Sequence, residues 1–542
     1  MYSIDFPALG FSRLFTDFID NSPFFADAFP ANSTLENPQY WLDERAQRFD
    51  SRPELVAAIQ ATMRTVSLTA QQEHNLRLLE KRTTLASVTG QQVGFLGGAL
   101  YTLLKAHTAI RFAENRTASG LETVPIFWIE DNDADSAEAA KTSVLNALQE
   151  PIEVSCTQEI TTSTPVAERV FDAHITDVIN TLESTLPSSE FSLDTMTLLR
   201  DIYREGVSWT QAFTELLQHF LGRYGMLFLS AEGARKQRLF KDIIKKELSD
   251  PTATKSAVDR MAAQLESAGY HVQAIASEPN LFMHHDGERS KLRWTGEHFT
   301  AHDTTYTRED LLAKADIMPE LFSPNVLLRP IVQDAILPTI AYIAGPGEIA
   351  YLSELQYAYD MFSVPVPAVL PRHSATFMPP SVIRFLEKNS LDVAFFLRPW
   401  RVIESDLTAM TADTQGAELF GGAAEALKTM FASMSTYAVS IDQSLGGAVG
   451  AAERQTEKVV EDLQKRIASA QKKRHATLFD KSRETASVLF PNGKLQERVL
   501  SPIVWLQRFG METLSEVMRQ ISNENPTSHF FSPLRQEKAL FL

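Results

Sequence analysis

The segment Val88–Lys105, VTGQQVGFLGGALYTLLK, places four glycines within nine residues, between an apolar run and an amphipathic one. Residues 84–90, which overlap the start of this segment, predict a buried strand, and residues 99–116 predict a helix. The next apolar run, VPIFWIE (124–130), predicts a second buried strand that ends in acidic residues. A strand, a helix and a strand at this spacing form a βαβ unit, so we expect a parallel sheet with a right-handed crossover.

The same alternation continues along the chain. We predict a helix over 136–149, mostly helical structure over 165–222, a strand at 225–231 and a β-hairpin within 271–303. Residues 337–362 repeat the order of strand, glycine turn and helix, and residues 364–372 predict a last strand.

After about residue 384 the sequence becomes helical and acquires a heptad pattern. Apolar and small side chains step by four and three residues, which predicts a coiled-coil seam. Such a helix spans roughly 65 Å at about 1.5 Å per residue, and we expect it to pair with another helix, in the same chain or in a second copy. The seam positions are Leu427, Phe431, Met434, Ala438, Ile441, Leu445, Ala448 and Ala452, with Val459, Leu463 and Ala470 close to the same register.

The composition is that of an ordinary globular protein, with 44% hydrophobic and 22% charged residues in a chain of 542. The net charge of −17 disfavours a broad basic surface for nucleic acid, but it leaves room for local basic pockets. The single cysteine, Cys156, excludes a disulfide within the chain and is either a nucleophile or a small buried apolar residue. Neither a signal peptide nor a run of about 18 apolar residues occurs, so we expect a cytoplasmic, soluble protein without a membrane partner.

The glycine segment is the first candidate site. Gly90 ends the predicted strand, and Gly94, Gly97 and Gly98 precede the helix. Backbone N–H groups at a helix N-terminus favour an anion, and glycines let a ligand approach the backbone closely. The spacing matches neither the dinucleotide-binding pattern nor the P-loop pattern, so a ligand site and a plain turn both stay open. The polar side chains that would accompany a ligand are Gln91, Gln92, Tyr101 and Lys105.

The second candidate is an acidic cluster at the end of the second strand. It contains Glu130, Asp131, Asp133 and Asp135. In open α/β sheets the carboxyl ends of the strands face the ligand crevice. These acids could hold Mg²⁺, bind sugar hydroxyls or supply a general base, and the alternative is that Asp133 or Asp135 caps a helix.

A third candidate is GPGEI (345–349), which again lies between a strand and a helix. Glu348 at the start of the helix would repel a phosphate, so a substrate hydroxyl or amine is the expected partner. The alternative is that Gly345 and Gly347 only form a tight turn.

Upstream of that turn, Arg329 stands before a proline and suits carboxylate or phosphate recognition, with Gln333 nearby. A structural pair between Arg329 and Asp334 is the alternative. The histidines and aspartates of the hairpin region match no zinc pattern, so we assign no metal site to them. They are His284, His285, Asp286, His298, His302 and Asp303.

Five blocks of sequence, taken together, are typical of one family. The blocks are TGQQVGFLGGALYTLLK, VPIFWIEDND, LLRPIVQDAILPTIAYIAGPGEIAYLSEL, VPAVLPR and PNGKLQERVLSPIVWLQRFG. They resemble, in the same order, those of the bacillithiol-biosynthesis cysteine-adding enzyme family, BshC. They run from residue 89 to residue 510, so the resemblance covers nearly the whole chain.

The resemblance implies an α/β fold with a Rossmann-like parallel-sheet core, two inserted connecting regions and a long C-terminal α-helical coiled coil that forms a homodimer. The core is similar to that of class I aminoacyl-tRNA synthetases, but their H-x-G-H and K-M-S-K-S motifs are absent here, so tRNA charging is not implied. The expected layout is an N-terminal helical segment packed on the core (1–83), core (84–164), helical insertion (165–222), core with helices (223–270), β-hairpin insertion (271–325), core (326–383), coiled coil (384–490) and a C-terminal segment that returns to the core (491–542).

The resemblance also implies an activity. The family is assigned to the last step of bacillithiol synthesis, in which cysteine is joined through an amide to the glucosamine amine of glucosaminyl malate. A free carboxylate needs activation before it forms an amide, which implies ATP as a co-substrate and allows Mg²⁺. The alternative is a non-catalytic nucleotide-binding protein that assembles partners through its coiled coil.

In that activity Asp131 and Asp133 would act as the base, or bind the amino sugar or a metal, and Arg329 would clamp a carboxylate. The other residues implied at the substrate or nucleotide site are Gly90, Gln91, Gln92, Gly94, Gly97, Gly98, Tyr101, Lys105, Glu130, Asn132, Gln333, Gly345, Gly347, Glu348 and Arg372.

Two positions depart from the family pattern. The family's acidic motif usually reads E-D-H-D, and Asn132 replaces its histidine here. Asparagine forms hydrogen bonds but cannot act as a base near neutrality. The family usually has Gly-Pro where this chain has Gly98-Ala99, and this change should matter little because proline at that position only favours helix initiation.

Overall fold

The computed structural model describes residues 2–44, 52–157, 164–411 and 414–534. The chain divides into a larger unit, Met1–Pro380 with Lys494–Leu542, and a smaller unit, Ser381–Gly493. The strands are β1 (Tyr2–Asp5), β2 (Leu85–Gln92), β3 (Thr123–Glu130), β4 (Lys141–Leu145), β5 (Pro151–Ser155), β6 (Leu227–Ser230), β7 (Leu281–His285), β8 (Glu288–Lys291), β9 (Arg293–Trp294), β10 (Phe299–Ala301), β11 (Thr304–Tyr306), β12 (Phe322–Pro324), β13 (Thr339–Ala344), β14 (Ala368–Pro371), β15 (Ser374–Met378) and β16 (Ser528–Pro533).

The α-helices are α1 (Arg13–Ile19), α2 (Pro23–Ala28), α3 (Pro38–Glu44), α4 (Arg52–Thr62), α5 (Ala70–Leu79), α6 (Tyr101–Ala118), α7 (Ser136–Ala139), α8 (His174–Thr185), α9 (Ser192–Ile202), α10 (Trp209–Leu221), α11 (Ala231–Lys236), α12 (Lys241–Ser249), α13 (Ala253–Ser267), α14 (Arg308–Ile317), α15 (Leu328–Ile336), α16 (Pro346–Leu352), α17 (Gln356–Phe362), α18 (Pro380–Asn389), α19 (Trp400–Met410), α20 (Thr414–Ile441), α21 (Leu445–Leu489) and α22 (Ile503–Ile521).

A five-stranded parallel sheet forms the core of the larger unit, in the order β14-β13-β2-β3-β6. Its strands are almost wholly buried, as expected for parallel strands covered by helices on both faces. This confirms the strands predicted at 84–90, 124–130, 225–231 and 364–372, and the order of strand, glycine turn and helix predicted over 337–362. The chain runs from β2 outward through β3 and β6 and then returns to place β13 on the other side of β2. The strand order therefore reverses between β13 and β2, and in such sheets ligands bind beside that reversal, at the carboxyl ends of the strands.

The helix predicted over 136–149 is wrong. Only Ser136–Ala139 is helical, and residues 141–145 form β4, which pairs antiparallel with β5. Val144 and Thr142 point inward from β4, and the β-branched side chains of this strand suit a half-buried pleated surface better than a helix. Cys156, which follows β5, is buried, and burial raises the pKa of its thiol to about 12, which fits the small buried residue rather than the nucleophile.

The hairpin predicted within 271–303 is confirmed by β7 and β8, which pair antiparallel on either side of the turn at Asp286 and Gly287. A second small sheet joins the two ends of the chain. In it β1 pairs antiparallel with β16, and β16 pairs parallel with β15. None of these three strands was predicted, and together they attach the C-terminal segment to the core.

The long C-terminal rod is two helices rather than one. α20 ends at Ile441, and α21 begins at Leu445 after a short break in which the Asp442 carboxylate accepts a hydrogen bond from the Ser444 N–H. The two helices pack against each other. The heptad register predicted from Leu427 to Ala452 therefore crosses a break in the helix, although α21 alone is 45 residues long.

In the described part of the chain, no helix has both the length and the apolarity needed to cross a membrane.

Candidate functional site

A cavity of about 620 Å³ opens at the carboxyl ends of β2, β3 and β13, beside the reversal of strand order. Such a volume accommodates a small molecule. Many of the residues predicted for the site line it, and the inserted β-hairpin and the C-terminal segment supply others. The lining residues are Gly90, Gln91, Gln92, Tyr101, Lys105, Trp128, Glu130, Asp133, Phe282, Arg289, Pro324, Asn325, Val326, Arg329, Tyr342, Gly345, Pro346, Gly347, Glu348, Tyr351, Arg372 and Arg498.

Alternation along β2 gives the cavity two sides. Successive side chains of a strand point to opposite faces of the sheet. Gln91 faces α6, where its amide N–H donates to the Tyr101 hydroxyl at 3.0 Å. Gln92 faces the other way and donates to the Asp133 carboxylate, and in the sheet it is paired with Glu130. We call these the α6 side (Gln91, Tyr101, Lys105, Arg372 and Arg498) and the hairpin side (Gln92, Glu130, Asp133, Phe282 and Arg289).

Lys105 and Glu348 form a buried ion pair in the cavity wall. The Lys105 ammonium lies 2.6 Å from a Glu348 carboxylate oxygen and donates to the Gly90 carbonyl at 2.5 Å. Glu348 also accepts the Tyr342 O–H and the Gly345 N–H, each at 2.7 Å. Burial alone would raise the pKa of Glu348, but the charge of Lys105 and these donors outweigh it and lower that pKa.

The same contacts decide what the GPGEI turn can do. Glu348 lies at the third position of α16 and caps the helix by accepting the Gly345 N–H. A carboxylate therefore already occupies the start of this helix, and its charge disfavours a phosphate there. The predicted substrate hydroxyl or amine would instead have to compete with Tyr342 and Lys105 for Glu348.

The glycine segment divides into a cavity part and a turn part. Gly90 lies in the cavity wall, whereas Gly94, Gly97 and Gly98 do not line the cavity. Gly97 and Gly98 have φ of 83° and 66°, and a Cβ on Gly97 would lie 3.1 Å from the Pro502 side chain. Glycine is therefore required at both positions, because the chain makes a tight turn there that packs against the C-terminal segment. The prediction that Gly94, Gly97 and Gly98 line a nucleotide pocket is corrected accordingly.

The acidic cluster also divides. Glu130 and Asp133 line the cavity, and Asp131 does not. Asp131 is 1% exposed and accepts hydrogen bonds from the Ser230 hydroxyl at 2.6 Å, the Thr210 hydroxyl at 3.1 Å and the Glu232 N–H at 2.8 Å. Burial raises its pKa to about 7. These contacts tie β3 to β6 and α11, so the position of Asp131 does not support its predicted contact with substrate.

Glu130 is the carboxylate that the end of β3 brings into the cavity. It accepts the Trp128 indole N–H at 3.0 Å and the Asn132 main-chain N–H at 3.2 Å. Burial raises its pKa, and the positive charge of Arg329 opposes that shift. A carboxylate with a raised pKa in the wall of a cavity is a candidate for exchanging protons with a bound ligand.

The other acids of this segment have local partners. Asp133 accepts from Gln92 and from the Ala134 N–H, and its carboxylate lies 3.5 Å from the Arg289 guanidinium. Asp135 caps α7 by accepting the Glu138 N–H at 3.1 Å, as the capping alternative predicted.

Arg329 is held in place by neutral partners. Its guanidinium donates to Gln333 at 3.1 Å and to the Tyr351 hydroxyl at 2.7 Å. Gln333 is fully buried behind Arg329 and does not line the cavity. Among the described residues, no carboxylate lies within 4 Å of this guanidinium, so Arg329 is available to an anion.

Arg372 has a buried carboxylate partner instead. Its guanidinium lies 2.6 Å from Glu497, and both side chains are almost completely buried. It also lies 5.3 Å from the centre of the Tyr101 ring. Arg372 therefore links the cavity wall to the C-terminal segment.

Sequence reasoning missed Arg289 and Arg498. Arg289 comes from the inserted hairpin, stacks 3.7 Å from the Phe282 ring centre and donates to Ser323 and to the Pro324 carbonyl. Nothing in its local pattern indicated a cavity residue. Arg498 lies in the fifth family-like block, which was the only available signal.

Within the described ranges, no group of three or more His, Cys, Asp or Glu side chains could hold a metal ion. His284 of the hairpin region is instead buried, with its Nε2 2.8 Å from the Ser323 hydroxyl.

A parallel α/β core with a cavity lined by charged side chains at its strand reversal is typical of small-molecule-binding proteins with a Rossmann-like domain. Two family models match the chain: "Bacillithiol biosynthesis BshC, N-terminal Rossmann-like domain" over residues 1–373 and "Bacillithiol biosynthesis BshC, C-terminal coiled-coil domain" over residues 375–530. The chain belongs to the BshC family of bacillithiol biosynthesis, and the predicted fold class is confirmed.

Several relatives carry the name "Putative cysteine ligase BshC". The protein from Chloroherpeton thalassium is 30% identical, with 98% of this chain and 100% of that protein covered. Those from Salinibacter ruber (28% identical, 95% and 96% covered) and Chlorobaculum tepidum (29%, 97% and 98%) are similar along their whole lengths. Among solved structures, a putative arginyl-tRNA synthetase from Campylobacter jejuni matches with a TM-score of 0.24 and 9% identity over 85% of this chain and 99% of that chain.

Proposed function

We propose that this chain is a ligase that joins cysteine through an amide bond to the glucosamine amine of glucosaminyl malate, as the last step of bacillithiol biosynthesis. The names of the full-length relatives support the ligase class. The observation that carries the proposal is the cavity, where the buried carboxylate of Glu130 and the guanidinium of Arg329, which is hydrogen-bonded to neutral side chains, face the same space. An amine and a carboxylate are the groups that such a pair of charges attracts.

Proton transfer in this reaction is placed on Glu130 rather than on Asp131. The amine nitrogen attacks the activated carboxyl carbon of cysteine, the bond to the leaving group breaks, and the proton shed by the nitrogen passes to the Glu130 carboxylate. Glu130 lines the cavity and has a raised pKa, whereas Asp131 is enclosed by its own three donors. Asp133 also lies on the hairpin side of the cavity, and its side chain is 37% exposed. Its carboxylate would therefore bind the amino sugar.

ATP is proposed as the co-substrate that activates the cysteine carboxylate. The donor that suits phosphate is the Arg329 guanidinium of the cavity, because both glycine turns are otherwise engaged. Mg²⁺ would then enter with the nucleotide phosphates. We place the reaction in the cytoplasm, where ATP and reduced cysteine are available.

A homodimer through the coiled coil is part of the proposal. Heptad positions on α20 and α21 are exposed in the single chain, among them Met434 at 48%, Val459 at 64% and Leu463 at 52%. Apolar side chains repeated at this spacing are covered by a partner helix in a coiled coil. A second copy of the chain supplies such a helix.

Purified protein incubated with ATP, cysteine and glucosaminyl malate tests the proposal. Mass spectrometry should detect the cysteinyl amide, and a deletion strain should lose the thiol and accumulate glucosaminyl malate. Calorimetric binding of ATP and cysteine without any amide product would favour the non-catalytic assembly protein instead.

A further inference from the structure

Arg498 reaches the α6 side of the cavity from a rigid support. It ends a short 3₁₀ turn whose first two residues, Gln496 and Glu497, are fully buried. Gln496 makes two hydrogen bonds with the main chain of Phe377, and Glu497 accepts from Arg372 and from the Ala375 N–H. The turn is therefore anchored to β15, while the Arg498 side chain itself is exposed at the cavity.

The charge of Arg498 is not compensated within the described ranges. In the described part of the chain no carboxylate lies within 4 Å of its guanidinium, which lies 5.9 Å from the centre of the Phe11 ring. Glu497, the adjacent carboxylate, is already paired with Arg372. An exposed arginine beside a concave site with no acidic partner attracts an anion from solution.

Tyr101 supplies a second donor on the same side. Its hydroxyl oxygen accepts the Gln91 amide N–H, which leaves its own O–H free to donate. Burial raises the pKa of Tyr101, so the hydroxyl keeps its proton at neutral pH. Glu138 also acts on Tyr101 electrostatically, but it does not line the cavity.

The opposite side of the cavity carries two acids, and the third lining acid, Glu348, is paired with Lys105. Glu130 and Asp133 lie on the hairpin side, across the alternation of β2 from Tyr101. The charges that act on Tyr101 are those of Glu138, Arg372, Glu348 and Arg498, whereas Arg329, Arg289 and Asp133 act on Glu130. Of the two carboxylates near Tyr101, Glu348 is neutralised by Lys105 and Glu138 does not line the cavity. A ligand that fits both sides carries an amine at one end and an anion at the other.

We infer that Arg498, with Tyr101, binds a carboxylate of the acidic half of the amino-sugar substrate and so selects an amino sugar that carries an anion. This inference rests on the proposed function for the identity of the amino sugar. A guanidinium and a hydroxyl recognise an anion, and both a sugar carboxylate and a nucleotide phosphate could supply it. The phosphate is therefore the alternative ligand that the test must distinguish.

The test compares Arg498→Gln with the control Lys494→Gln, which removes the same charge from an exposed residue of the same segment outside the cavity. Calorimetry measures binding of three probes: glucosaminyl malate, methyl glucosaminide (the same sugar without the malate carboxylates) and ATP. We expect Arg498→Gln to weaken glucosaminyl malate binding about 10-fold, with methyl glucosaminide and ATP unchanged. Arg498→Lys should keep part of the affinity, and Lys494→Gln should bind like the wild type.

The outcomes separate the inference from the proposed function because binding needs no turnover. Weakened ATP binding with unchanged sugar binding would assign the subsite to phosphate and overturn the inference. Equal losses for both sugars, or a wild type that binds neither, would overturn it as well. A wild type that prefers glucosaminyl malate through Arg498 yet forms no amide would refute the proposed reaction alone.

Discussion

Replacing Glu130 with glutamine tests where the reaction's proton goes. The two side chains have nearly the same shape, so the change removes the charge and the basicity and leaves the cavity's volume unaltered. Two donors hold the Glu130 carboxylate, one on each oxygen: the Trp128 indole and the Asn132 main-chain N–H. Glutamine offers only one acceptor oxygen, so its NH₂ group must face one of these donors.

The variant loses both a base and a hydrogen bond, and the two losses have different consequences. Loss of a positioned base slows a proton-transfer step about 100-fold or more, which corresponds to roughly 2.7 kcal/mol of barrier or more. The unmade hydrogen bond costs about 1–3 kcal/mol and acts on the folded state. We therefore expect Glu130→Gln to lower kcat by at least ~100-fold and to lower the melting temperature only slightly.

The pH dependence sharpens this prediction. A base works only when it is unprotonated, so the wild-type rate should rise with pH through the pKa of Glu130, which burial places above the ordinary value for glutamate. The Gln variant should lose that rise and keep a low rate that does not depend on pH in the same range.

The assay is mass-spectrometric detection of the amide at several pH values, with Glu114→Gln as the matched control. Glu114 is an exposed residue of α6 that pairs with Arg111. A Glu130→Gln rate within a few-fold of the wild type, or an unchanged pH profile, would refute the assignment of the base.

Three other predictions concern the surroundings of the site. The folded pKa of Asp131 is raised to about 7, so its contribution to stability is present at low pH and is lost as the pH rises through that value; Asp131→Asn should therefore show a smaller fall in melting temperature between pH 5 and pH 7 than the wild type. Lys105→Met leaves the buried Glu348 carboxylate without its cation and should destabilise the fold by about 3 kcal/mol or more. Adding Glu348→Gln to this variant should restore part of the lost stability. If calorimetric melting shows that the losses of the two single variants simply add, the two side chains are not energetically coupled. Leu463→Glu places a charge on the proposed dimer seam and should give monomers in analytical ultracentrifugation, whereas an unchanged mass would show that this residue is not in the interface.

The central sheet could be predicted from the sequence because parallel strands are buried on both faces. Their apolar runs, such as 124–130, are short and continuous and contain many β-branched and aromatic residues. The error at 136–149 has the opposite cause. Alanine and leucine there favour a helix locally, but pairing with β5 and the bond from the Ser501 N–H to the Ser143 carbonyl select a strand.

The candidate site was predictable where it lies at strand ends. Gln91, Glu130 and Glu348 each follow an apolar run that could be recognised, so their meeting at one edge of the sheet follows from the fold. Which acid of the cluster enters the cavity could not be predicted, because the choice between Glu130 and Asp131 depends on how the chain leaves β3. Arg498 could not be placed either, because it reaches the site through a sheet that joins residues hundreds of positions apart.

The asparagine that replaces the family's usual histidine can now be assessed by what it contributes. Asn132 is 1% exposed, does not line the cavity, and within the described ranges its side-chain amide has no hydrogen-bond partner. Its contribution to the site is the main-chain N–H that Glu130 accepts at 3.2 Å. Every residue except proline supplies that N–H, so histidine and asparagine support the proposed base equally well. The substitution therefore bears on packing behind the cavity and leaves the proposed proton transfer intact, because that step depends on a carboxylate and not on an imidazole.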